Sequence, residues 1–159
     1  MKHLPKHLQP RWRYLAVLIE GWPDADLDRD QFQRQLWYSA QNLFGDAGSA
    51  DLDLSVVRFE FADGEGGAIV RTRRGEQSRG RAAVACVEQV DDQPVGLRVA
   101  GVSGTIRACE EKYMGRGRED TEQRHVAFAG ADRRASVRGS RVDIPAEQAY
   151  TGATILDCE

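Results

Sequence analysis

The sequence predicts an α+β fold: a ferredoxin-like βαββαβ sandwich of four antiparallel strands with two helices on one face. Three observations predict it. Strand-like apolar runs alternate with two helical patterns in that order, the 159 residues suit one domain, and a third helical pattern at 105–114 can cover the open sheet face. An irregular C-terminal extension is expected after this extra helix, in which residues 125–144 could form a loose hairpin.

The first strand and the first helix have the clearest patterns. RWRYLAVLI (11–19) is apolar on both faces after Tyr14, which is typical of a central strand. Residues 28–44 carry apolar side chains at helical spacing, and Gly45 is expected to end this helix.

A hairpin follows. LDLSVVRFEF (52–61) has the composition of a strand, and alternation places Val57, Phe59 and Phe61 on one face. DGEGG (63–67) is typical of a turn between strands and not of a phosphate-binding loop, because it does not open a helix. AIVRTRR (68–74) is then the second strand of the hairpin, with Arg71 and Arg73 on one face.

Changes in composition set the domain limits. Residues 1–10 are a basic arm, 11–114 are the ferredoxin-like domain, and 115–159 are a polar extension that is expected to be partly mobile. Within the domain, a second helix is predicted over 77–91 and the fourth strand begins at Pro94.

Several function classes are disfavoured by what the sequence lacks. No run approaches eighteen apolar residues and no signal-peptide core opens the chain, so a cytoplasmic protein without a membrane segment is expected. Three distant cysteines and three scattered histidines predict neither a disulfide framework nor a metal site. The sequence contains no pair of carboxylates beside a histidine, no nucleophile elbow and no P-loop, so no catalytic residue is predicted.

The net charge of −3 hides a segregation of sign. Residues 20–65 hold eleven acids against three arginines, whereas 1–19 and 71–81 are basic. Abundant aspartate with few lysines also fits a cytoplasm with very high salt.

The basic residues are candidates for binding phosphates. In a ferredoxin-like sheet the first and third strands are neighbours, so Arg11 and Arg13 are expected beside Arg71 and Arg73 on one surface. The alternative is that these arginines are only solvated residues at the edge of the sheet, each paired with one of the acids of residues 20–65. The full candidate set is Lys2, Lys6, Arg11, Arg13, Arg71, Arg73, Arg74, Arg107 and Lys112.

A junction between strand and helix adds a second candidate. Ser103, Gly104 and Thr105 stand where the fourth strand turns into the extra helix. A hydroxyl there can simply cap the helix, or the junction can contact a phosphate or a partner with help from Arg107. Taken alone, the cap is the better reading.

Four stretches carry a family resemblance: LPKHLQPRWRYLAV, LWYSAQNLFGDAG, AIVRTRR and above all VSGTIRACEEKY. They resemble the small conserved protein subunits of archaeal and eukaryal ribonuclease P, known in archaea as component 2. The resemblance covers roughly residues 2–114 and leaves the extension unexplained. It implies an RRM-like fold and a ribonucleoprotein that removes the 5′ leader of precursor tRNA by endonucleolytic cleavage.

The resemblance also implies how the work is divided. The catalytic RNA would hold the magnesium ions and perform the cleavage, and the protein would bind none. The protein would support the RNA and bind a barrel-shaped protein subunit of the same enzyme in a two-plus-two assembly. The acidic balance of this chain departs from the basic subunits usual in the family.

Two readings from other classes remain open on the same fold. A small-molecule-binding regulatory domain would need a pocket at the junctions of strands and helices, and would not need the arginine cluster. An acylphosphatase-like enzyme would need an arginine in a loop after the first strand, where GWPDADLD offers acids.

Overall fold

The computed structural model describes residues 4–115 and 120–158. The strands of its larger sheet are β1 (Trp12–Gly21), β2 (Ser55–Ala62), β3 (Glu65–Arg73), β4 (Gln89–Val90) and β5 (Gln93–Ser103). They form a five-stranded antiparallel sheet in the order β2-β3-β1-β5-β4. Strands β1, β2, β3 and β5 are the four predicted strands, in the ferredoxin-like order. The predicted α+β fold is therefore confirmed.

Two helices pack on one face of this sheet and enclose the main core. Helix α1 (Arg29–Leu52) begins at a capping box in which the Asp28 side chain accepts from the backbone N–H of Gln31. Helix α2 (Gln77–Ala85) lies beside it. Their apolar sides bury the face of β1 that carries Leu15, Val17 and Ile19.

Both helix ends differ from the prediction. Gly45, with φ of 71°, interrupts α1 but does not end it, because the chain resumes helical geometry up to Leu52. Helix α2 stops at Ala85 and not at 91. The last residues of its predicted span pair instead with β5 in a hairpin whose turn, Asp91 and Asp92, has positive φ at both positions.

In the edge strand β2 the side chains do not alternate between the two faces as predicted. Its pairing with β3 shifts between Val56 and Arg58, which inserts an extra residue. Val57 therefore packs on the face opposite to Phe59 and Phe61, although all three were predicted on one face.

The other face of the sheet is covered by the extra helix, as predicted. Helix α3 (Ile106–Cys109) continues as one π-helical turn (Glu110–Met114) and packs Ile106, Cys109 and Tyr113 against Ala16 and Ile69. Glycine makes this approach possible, because a Cβ at Gly101 would overlap the Tyr113 ring.

The C-terminal extension forms a second antiparallel sheet. It includes a hairpin in the region predicted over 125–144, but the prediction that the extension is irregular is wrong. The alternation of apolar and polar residues that predicts a strand is interrupted there, because the charged Arg138 and Asp143 occupy buried positions. Its partial mobility stays a prediction. The strands, in spatial order, are β6 (Glu122–Phe128), β7 (Ala131–Arg138), β8 (Arg141–Pro145) and β9 (Tyr150–Thr154). An apolar cluster stabilises the sheet: Ala135, Val137, Val142 and Ile144.

The extension meets the main domain at the end of β1. Arg138 donates from Nη2 to the carbonyl oxygen of Gly21 and from Nη1 to that of Asp63, each at 3.2 Å. Trp22 stacks on Tyr150 with ring centroids 5.7 Å apart. No helix in the described part of the chain is long and apolar enough to cross a membrane.

Candidate nucleic-acid interface

The start of β1 and the end of β3 bring four predicted arginines into one region. In the register of these strands, Trp12 lies opposite Arg73 and Tyr14 lies opposite Arg71. The pairing continues into the loop, where the backbone N–H of Arg74 donates to the carbonyl oxygen of Arg11 at 2.9 Å. We call the group of Arg11, Arg71, Arg73 and Arg74 the basic edge.

Trp12 organises the basic edge. The guanidinium carbon of Arg71 lies 4.1 Å from the centroid of the indole ring, and that of Arg73 lies 5.5 Å from it. Both distances are in the range of cation–π contacts, which orient the guanidinium groups. Trp12 was not among the predicted binding residues. The register of β1 against β3, which sets Trp12 opposite Arg73, is the signal that could have identified it.

Most of the basic edge has no acidic partner in the part of the chain that the structure describes. There, only Arg73 reaches a carboxylate, with 3.4 Å between its Nη2 and Asp53 Oδ2. Both side chains are nearly half exposed, so this pair contributes little. Within residues 4–115 and 120–158, no carboxylate pairs with Arg11, Arg71 or Arg74. The alternative in which each arginine faces its own acid therefore does not describe this edge.

Arg13 does not share the surface of the basic edge, contrary to the prediction. It lies opposite Thr72, whose hydroxyl donates to the carbonyl oxygen of Leu52 on the helix side of the sheet. Successive side chains of a strand alternate, so Trp12 takes the face that Arg71 and Arg73 share, and Arg13 takes the other.

The N-terminal arm contributes one visible lysine. Lys6 is exposed in a short 3₁₀ turn, Lys6–Leu8, which precedes Arg11 by three residues. The predicted contact at Lys2 lies outside the described residues.

The two hydroxyl groups at the junction before α3 have different environments. Thr105 is the cap, because its hydroxyl accepts from the backbone N–H of Ala108 at 3.1 Å. Ser103 lies opposite Tyr14 on β1, is only 7% exposed, and its hydroxyl has no hydrogen-bond partner among the described residues. Gly104 is exposed between them.

The two cations of the extra helix differ in their surroundings. Arg107 donates from Nε to Glu111 Oε1 at 2.9 Å, one turn away, so part of its charge is balanced. Lys112 is exposed on the following π-helical turn. Neither is part of the basic edge.

No reactive centre stands out in the described residues. No group of three or more histidine, cysteine, aspartate or glutamate side chains that could hold a metal ion is found among them. Burial raises the pKa of the Cys109 thiol, and the charge of Glu110 raises it further, so this cysteine stays protonated at neutral pH.

Comparisons with known proteins match this chain to one family. Residues 13–114 match the family model described as Rpp14/Pop5 family. Two relatives, each called ribonuclease P protein component 2, come from Halorubrum lacusprofundi and Natronomonas pharaonis. The first is 60% identical and covers 100% of both chains; the second is 61% identical and covers 99% of this chain and 98% of its own.

More distant matches cover less of the chain. A component 2 from Methanosarcina mazei is 31% identical over 72% of this chain and 93% of its own length. A chain in the cryo-EM structure of yeast ribonuclease MRP matches 61% of this chain and 76% of its own length, with 12% identity and a TM-score of 0.47.

Proposed function

The chain belongs to the Rpp14/Pop5 family, and on this premise we propose that it is a protein subunit of ribonuclease P. In this role it binds and supports the RNA that removes the 5′ leader of precursor tRNA. It contributes no side chain to bond cleavage. Magnesium ions held by the RNA would supply the chemistry, and the cytoplasm would be the place of action.

The basic edge is the observation that carries the proposal within the structure. Its four arginines lie at the same end of β1 and β3, and Arg11 and Arg74 are exposed without a carboxylate partner in the described residues. Guanidinium groups bind phosphate oxygens with two parallel hydrogen bonds, and each phosphate that they neutralise releases counterions. This surface can therefore hold an RNA backbone without reading its sequence.

A second protein belongs to the same proposal. The barrel-shaped subunit of the enzyme would bind this chain in a two-plus-two assembly. Since high salt weakens the phosphate contacts, burial between the protein subunits would stabilise the complex where the salt concentration is high.

The test replaces exposed arginines of the basic edge. Arg71 and Arg73 are poor choices because they pack on Trp12, so the variant is Arg11→Gln combined with Arg74→Gln. The matched control is Arg34→Gln combined with Arg98→Gln, two exposed arginines on α1 and β5 that remove the same charge.

Binding to transcribed ribonuclease P RNA is measured from low to high salt, together with cleavage of precursor tRNA by the reconstituted enzyme. The Arg11 and Arg74 variant should lose about one unit of slope in log K against log salt for each lost contact, roughly two in all. The control should keep the slope of the unchanged protein. Equal slopes for both variants would contradict a phosphate-binding role for the basic edge.

A further inference from the structure

We propose that the β6–β7 hairpin of the extension is a second RNA-binding element, in which Arg133 and Arg134 hold phosphates on the two faces of the hairpin. The inference rests on the proposed function and extends it to a region outside residues 13–114, which match the family model. The extension lies within the alignment to the Halorubrum relative, which covers the whole chain.

The geometry of the hairpin presents the two arginines on opposite faces. Strands β6 and β7 pair from Glu122 opposite Val137 to Phe128 opposite Ala131. The connecting turn, Ala129 and Gly130, has positive φ at both residues, which suits the twist of a two-residue hairpin. Because Arg133 and Arg134 are successive residues of one strand, their side chains leave on opposite faces.

The pairing of charges leaves these two arginines available. Arg124 is held by Glu122, with 2.7 Å between Nη2 and Oε2, and His125 Nδ1 lies 3.9 Å from Asp132 Oδ2. Arg133 and Arg134 are exposed, and no carboxylate within residues 4–115 and 120–158 forms an ion pair with either.

The base of the hairpin is fixed. Val137 packs in the apolar cluster of the extension, and Arg138, the next residue of β7, binds the main domain through two carbonyl oxygens. The exposed end of the hairpin is therefore held in a defined direction, and less conformational entropy is lost when it binds.

An RNA backbone fits this element better than a protein surface does. The centre of a protein interface needs exposed apolar side chains, but the larger apolar residues of β6, Val126 and Phe128, pack inward against the cluster of the extension. A two-stranded ribbon with a guanidinium on each face can contact phosphates on both sides of a groove in a folded RNA.

The position of the hairpin makes it independent of the basic edge. The extension binds at the end of β1, whereas the basic edge lies at its start, and ten residues of strand separate the two by about 30 Å. One RNA that reaches both ends gains affinity from simultaneous binding, because the second contact becomes intramolecular.

The experiment uses the full chain with Arg133→Gln and Arg134→Gln, and transcribed ribonuclease P RNA as the probe. The salt dependence of binding is compared with that of the unchanged protein, the Arg11 and Arg74 variant, and the Arg34 and Arg98 control. We expect the hairpin variant to lose roughly two units of slope. The slope losses of the hairpin and the basic edge should add when the variants are combined.

A photocrosslinking residue placed at position 133 identifies what the hairpin touches. Crosslinks to the RNA in the reconstituted enzyme support the proposal. An unchanged slope for the hairpin variant, or crosslinks to protein only, would overturn it. If the hairpin variant is unchanged while the basic-edge variant loses slope, the hairpin proposal fails and the proposed function stands. If the unchanged protein does not bind the RNA, the proposed function is wrong, and the hairpin proposal, which rests on it, is wrong as well.

Discussion

Replacing Arg138 with methionine is expected to release the C-terminal extension from the main domain. Arg138 and Asp143 form an ion pair of 3.1 Å, and each side chain is only 3% exposed. The same guanidinium donates to the carbonyl oxygens of Gly21 and Asp63. Methionine fills a similar volume, so the main change is the loss of the positive charge and its hydrogen bonds.

The magnitude follows from burial. Arg138→Met leaves the Asp143 carboxylate without its cation in a site closed to water, and such a loss costs about 3–5 kcal/mol. Arg141→Met is the matched control, because Arg141 pairs with Glu20 at 3.1 Å while both side chains are partly exposed, 36% and 55%. An exposed pair of this kind contributes at most about 1 kcal/mol.

Native-state hydrogen exchange, read on peptides from β6–β9 and from β1–β3, separates release from global unfolding. In Arg138→Met, amide protection of the extension should fall by about two orders of magnitude or more, while the main sheet keeps its protection. Adding Asp143→Leu should restore part of the loss, because no buried charge is then left alone. If Arg138→Met lowers protection no more than Arg141→Met, the buried pair does not hold the extension in place.

Two substitution pairs test the cover of the sheet. Gly101→Ala would drive a methyl group into the Tyr113 ring and should destabilise the protein by about 1–3 kcal/mol in denaturant unfolding. Gly96→Ala, on the same strand with nothing nearer than 4.0 Å, should be neutral or slightly stabilising. An equal loss of stability in both variants would show that the contact with Tyr113 is not the cause. Thr105→Ala should lower the melting temperature through a cap loss of about 1 kcal/mol. Ser103→Ala should leave it unchanged, since the Ser103 hydroxyl has no partner in the described residues, and a drop equal to that of Thr105→Ala would contradict this assignment.

The sequence predicted the main domain well where one physical signal was dominant. The order of strands and helices and the cover by α3 followed from apolar periodicity. The bulge at Val57 did not, because an inserted residue leaves the composition of a strand unchanged. In the extension the sequence predicted only a loose hairpin over 125–144 and not a four-stranded sheet. Arg138 and Asp143 are buried there, and a charged residue is ordinarily taken as a sign of exposure.

The candidate site could be predicted in part. Neighbouring strands bring Arg71 and Arg73 to the end of the sheet at which Arg11 lies, and the topology was enough to predict this. The register decided the rest, because it sets Trp12 and not Arg13 on their face. Register depends on how each strand pairs in three dimensions, and periodicity alone does not specify it.

Under the proposed function, the packing of α3 on the sheet limits how this protein could discriminate among nucleic acids. With Ile106, Cys109 and Tyr113 occluding the platform on which RRM domains stack unpaired bases, no base can lie flat there. An RNA bound as proposed would lie at the periphery of the sheet, where the arginines of the basic edge would contact ribose-phosphate and not nucleobase edges. Binding of this kind would depend little on nucleotide sequence, and the protein would select its RNA by folded shape.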